Sequence, residues 1–152
     1  MGCDVWIATN DQSKSWKGER LGDLSLKVLP PLVDNTSRRI INLIDVLWLR
    51  GDDVLAAYEI EHTTSIASGL LRLYDLDALC PTRTMHLCVV IPHPSLKRFQ
   101  AVLARPAFQR LNMQKRCLII QEETLLEHAE HILRWASSPT VITRLALNME
   151  QS

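Results

Sequence analysis

Residues 40–61 read IINLIDVLWLRGDDVLAAYEIE, and this stretch decides the fold. Ile40 to Leu49 is rich in Ile, Leu, Val and Trp, side chains that pack well on a pleated surface, so it predicts a buried strand. Gly51-Asp52-Asp53 is a turn signal, and Val54 to Glu61 predicts the return strand. A hairpin centred near residue 52 sets Asp45 opposite Glu59, to within one position. Side chains alternate along a strand, so Glu59 and Glu61 share one face while Tyr58 and Ile60 take the other. In that register Asp45 joins the two glutamates. Opposed residues have Cβ atoms roughly 5 Å apart, so three carboxylates converge.

Like charges facing each other on a sheet repel, and a buried unpaired carboxylate costs several kcal/mol or takes up a proton. A hard divalent cation such as Mg²⁺ or Mn²⁺ would offset that repulsion, binding through carboxylates with water and phosphate oxygens completing its shell. The same three acids on an exposed sheet face, each paired to Arg or Lys, would be an ordinary solvated patch. The residues alone leave both readings open.

Outward from the hairpin, Asp4 to Thr9 predicts a short strand, residues 10–23 a polar loop, and Leu24 to Leu29 an edge strand closed by Pro30-Pro31. Asp34-Asn35-Thr36 is a turn or helix start. After the hairpin, Thr63-Thr64-Ser65 offers capping hydroxyls to a helix whose stripe includes Ile66, Leu70, Leu73 and Leu76. Met85 to Ile91 is a nearly continuous apolar run, suited to a parallel strand covered on both faces. Ser95 to Leu103 predicts a helix, Arg105 to Leu111 a short helix opening at Pro106, and Arg116 to Ile120 another strand. Glu122 to Trp135 and Thr140 to about Met149 predict closing helices. The order is that of an α/β fold with a mixed β-sheet flanked by helices, antiparallel at the hairpin and parallel after the first crossover.

The chain has 152 residues, the size of one domain, and 47% of them are apolar, enough for a real core. Seventeen Lys and Arg balance seventeen Asp and Glu. Zero net charge argues against a broad basic coat but permits a local basic face. No apolar run approaches the roughly 18 residues that span a bilayer, and the start lacks the pattern of a signal peptide, so the expectation is a cytoplasmic protein without a membrane partner. The four cysteines, Cys3, Cys80, Cys88 and Cys117, form no C-x-x-C pair and read as reduced thiols.

Asp45, a turn, then Glu59-Ile60-Glu61 running into a helix resembles the PD-(D/E)XK nuclease superfamily, whose fold is that of the restriction endonucleases. The stretches 44–49, 57–66 and 68–73 are similar to uncharacterised bacterial restriction-endonuclease-like domains, with weaker echoes at 4–8, 10–11 and 105–108. The resemblance implies one restriction-endonuclease-like domain over 1–152, an α/β/α sandwich, and a nuclease hydrolysing phosphodiester bonds, with DNA the first expected partner and RNA the second. It implies Asp45 and Glu59 as metal ligands and places Glu61 where Lys is usual. That fold normally begins with a helix, whereas this sequence opens almost at a strand, so the resemblance carries the expectation of an N-terminally truncated domain. The alternative is a catalytically inactive nuclease-fold module acting in nucleic-acid or protein binding. A shortened sheet edge that pairs with a second copy gives a further expectation, a homo-oligomer and first of all a dimer.

Beside the carboxylates, His62 is a candidate base or phosphate contact, or else a loop hydrogen-bonder. The catalytic set expected is therefore Asp45, Glu59, Glu61 and His62, with Asp45, Glu59 and Glu61 on the metal. Arg72 can pair with Asp75 or reach the carboxylates. His128 and His131 have metal-pair spacing but read better as a solvated helix face. Trp16, between Lys14 and Lys17, either stacks a base or anchors its loop.

Overall fold

The computed structural model describes residues 3–62, 66–81, 84–129 and 145–146. Its centre is a five-stranded sheet in the order β1-β4-β5-β6-β7, formed by β1 (Asp4–Ile7), β4 (Val46–Arg50), β5 (Asp53–Ile60), β6 (His86–Ile91) and β7 (Cys117–Gln121). β1, β4 and β5 run antiparallel, and β5, β6 and β7 run parallel. The expected α/β architecture with a mixed sheet flanked by helices is therefore present.

Helix α2 (Ile66–Leu79) makes the crossover from β5 to β6. From β6 to β7 the chain passes through α3 (Leu96–Leu103), α4 (Pro106–Arg110) and α5 (Met113–Arg116). The period-two alternation of β5 divides the interior. Ala57 faces the main core with Leu47, Leu49, Leu87, Leu70, Leu73 and Phe99. Ala56 and Tyr58 face a smaller cluster with Cys88, Val90 and Ile120, against which Leu125 of α6 (Glu122–Glu127) packs. Cys80, Cys88 and Cys117 are buried free thiols, as expected, and Cys3 is partly exposed.

Three local expectations need correcting. The strand expected from Ile40 begins only at Val46, because Ile40 and Ile41 close helix α1 (Asn35–Ile41). The Asp34 carboxylate accepts from the amides of Thr36 and Ser37 at 2.8 and 3.0 Å, and that N-cap outweighs the β preference of two isoleucines. Leu24 to Leu29 is not a strand: Leu26 donates to the Val5 carbonyl, but the Ser25 hydroxyl takes the next place by accepting from the Ile7 amide. Residues 10–23 are more than a loop. They contain a small hairpin, β2 (Ser15–Trp16) with β3 (Glu19–Arg20), and one turn of 3₁₀ helix at Leu21–Asp23. The N-caps expected at Thr63 to Ser65 lie outside the described residues, as do the helical readings beyond Ala129, apart from Leu145 and Ala146. Ala146 makes an antiparallel bridge to Ile120.

Candidate active site

The β4–β5 ladder pairs Val46 with Tyr58, Leu47 with Ala57 and Trp48 with Ala56, then slips by one residue at Trp48/Leu49 before the turn. The pairing at Val46 is the one that sets Asp45 opposite Glu59 when extended by one residue. Gly51 takes a φ of +60° in the turn, a conformation glycine adopts without Cβ strain. Asp45 itself lies just before β4. Its backbone carbonyl accepts from Ala8 at 3.0 Å, and its Oδ2 accepts from the Ile60 amide at 2.7 Å. The carboxylate is thus held against the carboxyl end of β5.

Glu59 is completely buried. Arg72, one helical face around on α2, binds it through both oxygens: Nε donates to Oε1 at 2.8 Å and Nη2 to Oε2 at 2.5 Å. The two alternatives for Arg72 are thereby decided in favour of the carboxylates. Glu61 is also buried, and its amide donates to the Val90 carbonyl at 2.9 Å. A Cβ placed on Gly69 of α2 would meet Glu61 Oε1 at 2.4 Å and Glu59 Oε2 at 3.1 Å. Oxygens of the two glutamates therefore converge on one point beside the helix, and only the missing side chain of Gly69 leaves them room.

Electrostatics reflect this crowding. Burial pushes the Glu59 carboxyl up to about 7, against the pull of Arg72, and the charges of Asp45 and Glu61 push the same way as burial. Burial also raises Asp45, opposed by the Ile60 amide and by Arg72. Glu59, Asp45 and Glu61 in turn raise Arg72.

The structure brings Glu59 and Glu61 together at the carboxyl end of the central strand β5, with Arg72 on Glu59 and Asp45 beside them on the Ile60 amide. His62 is more than half exposed and its Nδ1 lies 3.7 Å from Glu122 Oε2, toward the start of α6. The neighbouring strand ends carry a second polar group: Gln121 Nε2 is 2.8 Å from His93 Nδ1, and the His93 amide donates to Glu123. His128 is exposed and its Nδ1 contacts the Thr124 carbonyl at 3.0 Å, while His131 lies outside the described residues. Gly69 was the residue missed in the sequence. Its signal is a glycine inside a helical pattern, which costs about 1 kcal/mol relative to Ala and calls for a packing reason.

The donor chemistry suits a hard divalent cation, since all three candidates offer carboxylate oxygens. Among the described residues no three or more His, Cys, Asp or Glu side chains form a ready cage. Mg²⁺ commonly needs only one or two carboxylates, with water and phosphate oxygens as its other ligands, so Asp45 and Glu59 are the donors it would use, both Glu59 oxygens being shared with Arg72.

Among the described residues no helix is long and apolar enough to cross a membrane. No solved structure matches the chain. The type II restriction enzyme NmeDI of Neisseria meningitidis serogroup C is 30% identical over 124 residues, which cover 75% of this chain and 35% of that protein. The chain thus spans about a third of that relative's length. The family model for the type II restriction enzyme NmeDI C-terminal domain matches residues 1–134, which takes in the whole sheet and all three carboxylates, so the chain belongs to that family.

Proposed function

We propose that the chain is a divalent-metal-dependent nuclease domain that hydrolyses phosphodiester bonds, in DNA before RNA. The observation that carries this reading is that Glu59 and Glu61 lie side by side at the carboxyl end of β5, with Asp45 held on the Ile60 amide next to them, in a family named for a restriction enzyme. Ligands of open α/β sheets bind outside the carboxyl ends of the strands. The PD-(D/E)XK pattern agrees with Asp45 and Glu59 and departs at Glu61, where Lys is usual.

Asp45 and Glu59 would hold Mg²⁺ or Mn²⁺, with Glu61 beside them as a further ligand or as a base toward the attacking water. When bound, the ion would ease loss of a proton from a water that attacks phosphorus, and would neutralise charge on the phosphoryl group as the P–O bond to the departing oxygen breaks. The chain does the rest. The Ile60 amide fixes one Asp45 oxygen, so the other can turn toward the site. Arg72 orients Glu59 and keeps a fixed cation next to it, which replaces the charge that Lys would supply at position 61. His62, turned toward Glu122, is placed to touch substrate at the rim, since it is more than half exposed.

The two-point clasp of Arg72 on Glu59 also favours a second reading, a binding module whose internal cation has replaced the metal. Cleavage of plasmid DNA with Mn²⁺ separates the two. The nuclease reading expects Mn²⁺-dependent nicking that falls at least a hundredfold in Asp45→Asn; a wild-type protein that binds DNA but never cuts it, with any divalent ion, supports the module.

A further inference from the structure

We infer that the β2–β3 hairpin is a nucleic-acid contact, with the exposed Trp16 ring stacking on a base and Lys14, Lys17 and Arg20 facing phosphates. The inference rests on the reading above for the class of partner, and on separate observations for the place. Trp16 is 64% exposed, so it is not the anchor of its loop. A large ring held out in water is poorly placed for stability and well placed for stacking, because every base offers a π-face.

The hairpin is built to hold that ring. Lys17 and Gly18 both take positive φ, +50° and +84°, the conformation of a tight two-residue turn between strands. That turn sets Trp16 opposite Glu19 and folds Lys17 back until its Nζ lies 4.3 Å from the centre of the indole. A two-stranded hairpin this short is marginal by itself. This one is tied down at its base, where Leu21 donates to the Lys14 carbonyl and both the Gly22 amide and Arg20 Nε donate to the Gln12 carbonyl. A Cβ on Gly22 would come within 2.7 Å of that carbonyl, so glycine is what allows the tie.

Its position joins it to the carboxylates. Gln12 Nε2 donates to the Ile7 carbonyl at the end of β1, and the next residue, Ala8, donates to the Asp45 carbonyl. The hairpin therefore leaves the sheet at the end where Asp45 sits. The local charge is only modestly positive, because Asp11 pairs with Lys14 at 2.5 Å and Glu19 faces Trp16. The indole is accordingly the main contributor, and the lysines and Arg20 orient a backbone drawn past it.

The test is fluorescence anisotropy of a short labelled DNA, single-stranded and duplex, titrated with the full chain in EDTA, where no cleavage occurs. Trp16→Ala is expected to weaken binding about tenfold with an unchanged melting temperature, and Trp16→Phe to restore most of it. Equal binding by wild type and Trp16→Ala, or no binding by the wild type to either DNA, overturns the inference. So does a Trp16→Ala loss that tracks dissociation of a dimer in sedimentation, which would make the hairpin a self-association surface. Cleavage of the same DNA by the wild type with Mn²⁺ separates this from the metal reading: if the wild type never cuts while Trp16→Ala still weakens binding in EDTA, the metal site fails and the hairpin stands.

Discussion

A buried carboxylate held through both oxygens by one arginine is expensive to break and cheap to replace. Arg72→Ala leaves Glu59 alone in the core and should cost about 3 kcal/mol of stability at pH 8, where the carboxylate is ionised; the double variant Glu59→Gln with Arg72→Met should recover much of it. Denaturant unfolding checks both, and a strictly additive double variant would mean that the pair is not coupled. Removing Arg72 also frees both Glu59 oxygens, so Mn²⁺ should stabilise Arg72→Ala more than the wild type. The pH dependence of the metal-free protein follows from Glu59. Its carboxyl titrates near 7 when folded and near 4.5 otherwise, so the folded state holds the proton more tightly between those values. The stability this contributes is complete below about pH 4.5 and is lost as pH rises through 7. Unfolding free energies measured across that window should fall by roughly 1–3 kcal/mol more in the wild type than in Glu59→Gln.

At the scale of elements, the site exists because helix α2 lies directly on the end of β5. Gly69 makes that approach possible. Gly69→Ala gains about 1 kcal/mol of helix propensity but must displace the Glu61 carboxylate, and overpacking at such a contact costs about 1–3 kcal/mol. Its net effect should be a lower melting temperature together with loss of metal response; a stabilised Gly69→Ala that still responds to Mn²⁺ would show that the contact is loose. The hairpin was legible because Gly51-Asp52-Asp53 fixes a turn and alternation does the rest. Even the one-residue slip at Trp48/Leu49 left the pairing at Val46 in the register expected for Asp45 and Glu59. Ile40 and Ile41 misled because composition cannot show which of two compatible structures a nearby cap selects. The β2–β3 hairpin hid inside a polar segment for a related reason: its strands are two residues long and bury no stripe, so periodicity has nothing to register. Arg72 could be named as a candidate partner of the carboxylates or of Asp75 but not assigned to Glu59, because partner choice depends on how the helix docks.

Across the whole molecule, the antiparallel and parallel halves of the sheet meet at β5, the strand that carries Glu59 and runs into Glu61. The strand β4 beside it follows directly from Asp45, and the crossover helix α2 packed over it delivers Arg72 and the space at Gly69. The family match covers this entire frame, residues 1–134. The account rests on Asp45 and Glu59 jointly retaining a divalent cation, and Mn²⁺ binding followed by isothermal titration calorimetry on the DNA-free chain addresses that directly. It predicts saturable binding at one site, weakened at least tenfold by Asp45→Asn and by Glu59→Gln. Absence of saturable binding, or equal affinity in the wild type and both variants, would contradict it.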